Sequence, residues 1–243
     1  MILEVKNVSF DYPDKNILKD VSFGVEKGDF LCILGSNGTG KSTLLKLILN
    51  ILKLQKGEIL IEGIPSRKYK AKGSLAYVSQ KATGFNRDFP ATVYEVVLSG
   101  LYPLRGFLSF PKKEDKERAD EALKQVGIYN LKNKLIGSLS GGQQQRVFIA
   151  KAIVSEPKII FLDEPTVGID VNAVDSICCL LGGLNLSGYT IIMVTHDLSS
   201  VLHHSNKVLL LSENEPCRIY KTEEFLKQNY SEHYHHNNHH REV

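Results

Sequence analysis

Residues 2–12, ILEVKNVSFDY, alternate apolar and polar side chains, and this period of two predicts a strand with one face buried. FLCIL at 30–34 does not alternate: it is apolar throughout, ends in a glycine-rich turn and runs into the helical stretch STLLKLILN. EILIEG and LAYVS read as further strands, and KIIFL (158–162), TIIMVT (190–195) and KVLLLS (207–212) are short apolar strands with helices between them. Continuous apolar strands suit a parallel sheet covered on both faces. Residues 112–126, KKEDKERADEALKQV, predict a charged, mostly solvated helix that stops at Gly127. The expectation is a single α/β domain over 1–243 with a helical insertion at about 85–150. No internal repeat is visible, and low-complexity sequence is confined to the last dozen residues.

Composition changes this picture little. With 243 residues, 42% hydrophobic and 23% charged, the chain can bury a substantial core and has the make-up of a soluble globular protein. A net charge of +3 is too small to imply nucleic acid or an anionic surface. The longest apolar runs, such as IIMV at 191–194, fall far short of the roughly 20 residues a spanning helix needs. The start, MILEVKNVSF, lacks the basic flank and long apolar stretch of a secretory signal. Cys32, Cys178, Cys179 and Cys217 form no CxxC pair and read as reduced, with Cys32 and Cys178 as core fillers. These features predict a cytosolic-type chain.

Chemistry enters at the strand, turn and helix of residues 30–49. GSNGTGKS, from Gly35 to Ser42, fits the phosphate-loop pattern of two glycines, a lysine and a hydroxyl at fixed spacing. Its glycines let backbone N–H groups curl around phosphate oxygens, and the helix N-terminus adds a favourable dipole. Lys41 would neutralise β/γ-phosphate charge and Ser42 would reach Mg²⁺. The chain is therefore expected to bind a nucleoside triphosphate. KIIFLDEP supports this by placing Asp163 and Glu164 at the end of an apolar strand, where two acids in series are costly to bury for packing alone. In phosphate-loop enzymes the first acid serves the metal and an adjacent acid can polarise the attacking water.

LSGGQQQR at 139–146 is the unusual stretch, because adjacent glycines at a helix start cost conformational entropy unless the backbone must come close to something. The order GSNGTGKS, YVSQ, LSGGQ, FLDEP, THD resembles the ATP-binding subunit of ATP-binding cassette (ABC) transporters, from Tyr12 to about Leu211. The resemblance implies a P-loop NTPase core with a parallel sheet, an N-terminal antiparallel β subdomain and a helical signature subdomain. It implies ATP and Mg²⁺ as cofactors, with Gly35, Ser36, Asn37, Gly38, Thr39, Gly40, Lys41, Ser42 and Thr43 around the phosphates and Tyr12 stacking on adenine. Ser42, Gln80 and Asp163 would serve the metal, while Glu164, His196, Gln80 and Lys41 would serve catalysis. Ser140, Gly141, Gly142 and Gln143, with Asp170, would face the ATP held by a second copy, so that two chains sandwich two nucleotides head to tail. Val167 and Ile169 depart from the family's commonest pattern in the loop that contains Asp170.

The resemblance extends to partners. EPTVGID together with LSGGQQQRVFIAKAI looks like the zinc/manganese uptake branch, which implies a separate transmembrane permease and an extracellular metal-binding protein in the same system. Such a subunit would sit in the cytoplasm, peripheral on the inner face of the membrane. Residues 89–107, FPATVYEVVLSGLYPLRGF, are the expected docking surface or else subdomain core. The tail at 233–243 holds five of the eight histidines, a set suited to Zn²⁺ and similar ions, or else is a plain polar end. The alternative reading is a non-transport ABC ATPase, such as an iron–sulfur assembly scaffold. A nucleic-acid-handling ABC ATPase is disfavoured, because 243 residues with no heptad run leave no room for a tandem cassette or a long coiled coil.

Overall fold

The computed structural model describes residues 1–70, 72–80, 89–105, 110–196, 202–212 and 216–228. The strand at the start of the chain, β1 (Leu3–Tyr12), pairs antiparallel with β2 (Lys15–Val25) on one side and β4 (Lys56–Ile61) on the other. A short β5 (Ile64–Pro65) completes this sheet in the order β2-β1-β4-β5. β2 was not among the expected strands, although its buried positions do alternate towards its end.

The second sheet takes the apolar runs. It contains β3 (Phe30–Leu34), β6 (Leu75–Val78), β7 (Ile159–Asp163), β8 (Thr190–Val194), β9 (Lys207–Leu210) and β10 (Arg218–Lys221), in the order β10-β9-β3-β8-β7-β6. All its pairs are parallel except β10 with β9. Every residue of β3, β7 and β8 is buried, which is why these segments show no alternation. Alternate residues of β3 feed two cores. Leu31 and Ile33 pack with the antiparallel sheet and with α1 (Lys41–Ile48), whereas Phe30, Cys32 and Leu34 pack towards the helices of the other face. Cys32 and Cys178 are both buried, as the core-filling reading requires, and burial pushes the Cys32 thiol up to about 12.

Those helices are α2 (Val93–Leu98), α3 (Tyr102–Arg105), α4 (Lys113–Gln125) and α5 (Gly141–Ile153), all between β6 and β7, followed after β7 by α6 (Val171–Leu186). α4 stops where expected, with Gly127 in the left-handed region at φ 72°. It is less solvated than its charge suggests: Ala119, Ala122 and Leu123 are buried, as is Asp115, which pairs with Arg105 Nε and accepts from the Lys112 N–H. The segment at 89–107, expected to be docking surface or else subdomain core, contains both buried and exposed apolar residues. Val93, Val96, Val97 and Leu101 belong to the core, and among the described residues of the segment Phe89, Tyr102 and Leu104 leave large apolar surface exposed. Residues 106 and 107 of that segment, like the histidine tail at 233–243, lie outside the described residues.

Candidate functional site

The turn at 35–40 leaves the carboxyl end of β3, in the middle of the parallel sheet, which is where α/β folds hold ligands. Gly40 is the N-cap of α1 with φ 93°, and a Cβ there would fall 2.6 Å from Ile17 Cγ2 and 2.7 Å from Leu18 Cδ2. No side chain caps α1, so the N–H groups of its first turn keep their capacity to bind an anion. The Lys41 ammonium donates to the carbonyls of Gly35 at 2.7 Å and Ser36 at 2.9 Å, and the Thr39 hydroxyl donates to Ser36 at 2.9 Å. Burial pushes the pKa of Lys41 down, against the pull of the Glu164 and Asp163 carboxylates. The turn is thus wrapped around its own lysine.

The two acids meet this turn from the end of β7. Asp163 is buried, its Oδ1 accepting from Ser42 Oγ at 2.7 Å and its Oδ2 from Tyr77 Oη at 3.1 Å. Burial and then the charge of Asp163 push the Tyr77 phenol up to about 12, so it stays a neutral donor. Glu164 has φ 49°, a conformation non-glycine residues rarely adopt, while its N–H still donates to Val194 O at 2.9 Å. Its Oε2 accepts from Gln80 Nε2 at 2.9 Å and lies 3.9 Å from His196 Nδ1. Four sequence-distant pieces of the chain therefore converge: Lys41–Ser42, the end of β6 and the residues just past it with Tyr77 and Gln80, Asp163–Glu164 and His196. The hydroxyl of Ser42 and the carboxylate of Asp163 are hard oxygen donors, which fit Mg²⁺ held by few protein ligands beside substrate phosphates.

LSGGQQQR is resolved residue by residue. Ser140 caps α5 in a reciprocal box: its hydroxyl accepts from the Gln143 N–H at 3.3 Å, and Gln143 Oε1 accepts from the Ser140 N–H at 3.2 Å. Gln144 is buried and donates to the carbonyls of Ile136 and Leu139, each at 3.3 Å, which ties the preceding turn to the helix. Gln145 is buried with its amide nitrogen unpartnered among the described residues. Arg146 reaches Val126 O and the Ser176 hydroxyl. The glycines differ. A Cβ on Gly142 would sit 2.8 Å from Ala173 Cβ of α6, whereas one on Gly141 would meet only ordinary contacts, Gly168 O at 3.6 Å and Ile169 Cγ1 at 4.0 Å. The close approach at Gly142 is therefore to its own chain. Asp170 caps α6 by accepting from the Ala173 N–H at 3.0 Å, so the loop before α6 and the start of α5 pack together.

Ser140–Gln143 spend their hydrogen bonds within their own helix start rather than on residues 35–43. Tyr12 is exposed at the end of β1 with its ring edge-on to Phe10, centroids 5.1 Å apart. The sequence reading did not single out Tyr77; the available signal was a hydroxyl-bearing residue on a strand otherwise apolar. It also missed Lys151, which lines a groove of about 470 Å³ together with β6, the following Ser79, Tyr102 and Phe148. Burial alone pushes Lys151 below the usual lysine range.

The ABC transporter family model matches residues 18–167. Over 213 residues the chain is 47% identical to the zinc uptake system ATP-binding protein ZurA of Listeria innocua, covering 87% of this chain and 83% of that protein. The chain belongs to the ABC transporter family. It is 39% identical over 209 residues to the manganese transport system ATP-binding protein MntB of Bacillus subtilis, covering 86% of this chain and 82% of that one. Among solved structures it resembles an ATP-binding cassette determined as a dimer in a post-hydrolysis state with ADP and Pi, with a TM-score of 0.75 and 31% identity over 90% of this chain and 98% of that one. The fold is that of the family, a P-loop core with an antiparallel β subdomain, and the chain is an ATP-binding ATPase. Both relatives are subunits of transport systems, which removes the ground for the scaffold alternative. Among the described residues no helix is long and apolar enough to cross a membrane.

Proposed function

We propose that this chain is the ATP-hydrolysing subunit of a divalent-metal uptake system whose cargo is zinc or manganese. The observation that carries the reading is the 47% identity to a zinc uptake ATP-binding protein across 87% of the chain. Residues Gly35–Thr43 hold the phosphates, with Lys41 exchanging its loop carbonyls for phosphate oxygens, and the exposed Tyr12 ring stacks on adenine. Mg²⁺, when bound by Ser42 and Asp163 with Gln80 nearby, neutralises phosphate charge. Glu164 orients or deprotonates the water that attacks the γ-phosphate in line, and His196 contacts that phosphate.

In this reading two copies face each other. The start of α5, with Ser140, Gly141, Gly142 and Gln143, points its positive end at the ATP of the other copy, and the Asp170 loop lies across the interface. Hydrolysis removes the bridging phosphate and loosens the pair. The helical part at about 85–150 passes that motion to a transmembrane permease seated on the groove between β6 and α5, beside the exposed Phe89, Tyr102 and Leu104. The subunit then sits against the cytoplasmic face of the membrane, and an extracellular metal-binding protein delivers the cargo.

Deleting the gene in its host and measuring cellular zinc and manganese in metal-limited medium tests this. Zinc or manganese should fall and be restored by the wild-type chain but not by Lys41→Ala. Unchanged levels of both metals would overturn the cargo assignment.

A further inference from the structure

Asp163 is nearly enclosed, 4% exposed, at the last position of β7. A carboxylate placed there needs a donor for each oxygen, and the chain supplies one from each side of the strand. Ser42, on α1, takes Oδ1, and Tyr77, on β6, takes Oδ2. The register explains how Tyr77 arrives. β6 runs parallel to β7 with Tyr77 opposite Phe161, two residues before Asp163, so a long side chain on the same face can reach forward along the sheet. Leu75 and Tyr77 face the α1 side of β6, while Ala76 and Val78 face the helices α2 to α5. A phenylalanine would fill the same space, so packing does not demand the hydroxyl; the hydroxyl's partner is the carboxylate.

We propose that Tyr77 is a positioning residue for the metal site, its hydroxyl fixing Asp163 Oδ2 so that Oδ1 stays with Ser42. The inference rests on the reading of Asp163 and Ser42 as the Mg²⁺ residues. Without the phenol, Oδ2 loses the hydroxyl donor that Tyr77 gives it and the carboxyl group can turn about its last torsion, separating Oδ1 from the serine. Groups that orient a metal's carboxylate in this way commonly alter metal affinity on the order of ten- to a hundredfold when removed. The effect falls on metal binding and spares ATP binding in the absence of metal, because the Tyr77 hydroxyl donates to Asp163 and reaches the phosphate loop through that carboxylate and Ser42.

The test is Tyr77→Phe in the full chain. Mn²⁺ serves as the spectroscopic probe, its binding followed by electron paramagnetic resonance with a non-hydrolysable ATP analogue present. Mn²⁺ affinity should weaken about tenfold, nucleotide affinity in EDTA should stay within twofold, and the Mg²⁺ concentration giving half-maximal ATPase should rise in step. Tyr77→Met, which removes ring and hydroxyl together, should lose the same metal affinity and serves if the first variant misfolds. Unchanged Mn²⁺ affinity in a folded Tyr77 variant overturns the proposal. Mn²⁺ affinity insensitive to Asp163→Asn instead overturns the metal reading beneath it, and the proposal with it.

Discussion

Gln80 donates its side-chain amide to Glu164 Oε2 at 2.9 Å, tying a residue just past β6 to the acid that follows β7. The carboxylate assigned to the attacking water is thereby held by the residue that follows Ser79, which lines the groove proposed for the permease. In the proposed function, movement at that groove has a short route to Glu164.

Gln80→Ala removes this tether and leaves the Lys41 and Ser42 contacts of the phosphate loop in place. ATP affinity should remain within twofold while turnover falls on the order of ten- to a hundredfold, as expected when a general base loses its orientation. Steady-state kinetics beside equilibrium nucleotide binding separates the two. Turnover at the wild-type rate would make the contact incidental.

The two signature glycines should fail differently. Gly142→Ala places a methyl group 2.8 Å from Ala173 Cβ and should destabilise the fold by about 1–3 kcal/mol, seen as a lower denaturation midpoint. Gly141→Asp has room for its Cβ, so the monomer should fold and bind ATP at residues 35–43. A carboxylate aimed at a γ-phosphate should nevertheless block pairing and hydrolysis. Normal ATPase activity in Gly141→Asp would contradict the two-copy arrangement.

Much of this was legible in the sequence, for physical reasons that can be named. β3, β7 and β8 announce themselves because strands buried on both faces cannot alternate, and the phosphate loop does so because its geometry admits few residue types. Contacts between distant segments were not legible. Nothing local says that Tyr77 meets Asp163, since that depends on the β6–β7 register, or that Gly142 answers to Ala173 across a helix pair. Residues 89–107 left two readings open for a related reason: an apolar segment looks alike whether it faces a partner or its own core, and α2 faces mostly the core.

Asp29 links β3 to β9. It accepts from the Lys207 ammonium at 2.7 Å, from Asn206 Nδ2 at 2.8 Å and from the Glu26 N–H at 2.6 Å. Burial pushes its pKa up, but these donors outweigh it and the carboxyl group titrates below its ordinary 3.8. A depressed carboxylate stabilises the fold above 3.8 and loses that contribution as pH falls through the lower, folded value. Asp29→Asn should therefore unfold at lower temperature than wild type at pH 7, with the gap closing as pH drops below 3.8. A gap independent of pH would show that charge is not the cause.

Lys151 works in the opposite sense. Because burial disfavours its proton, the charged side chain costs stability at neutral pH, and the cost fades as pH rises towards the free lysine value of 10.5. Lys151→Met should raise the melting temperature of the isolated chain at pH 7, and the gain should shrink near pH 10.5. A lower melting temperature at pH 7 would mean that Lys151 already has a compensating partner.

The account turns on Glu164 as the acid that drives hydrolysis between two facing copies. Glu164→Gln preserves the shape of the side chain while removing its charge and basicity. Sedimentation of this variant with and without Mg-ATP is the most direct measurement. The account predicts a monomer without nucleotide, a stable dimer retaining two unhydrolysed ATP molecules with it, and turnover reduced to a trace. A variant that stays monomeric with ATP bound, or hydrolyses it at the wild-type rate, would contradict it.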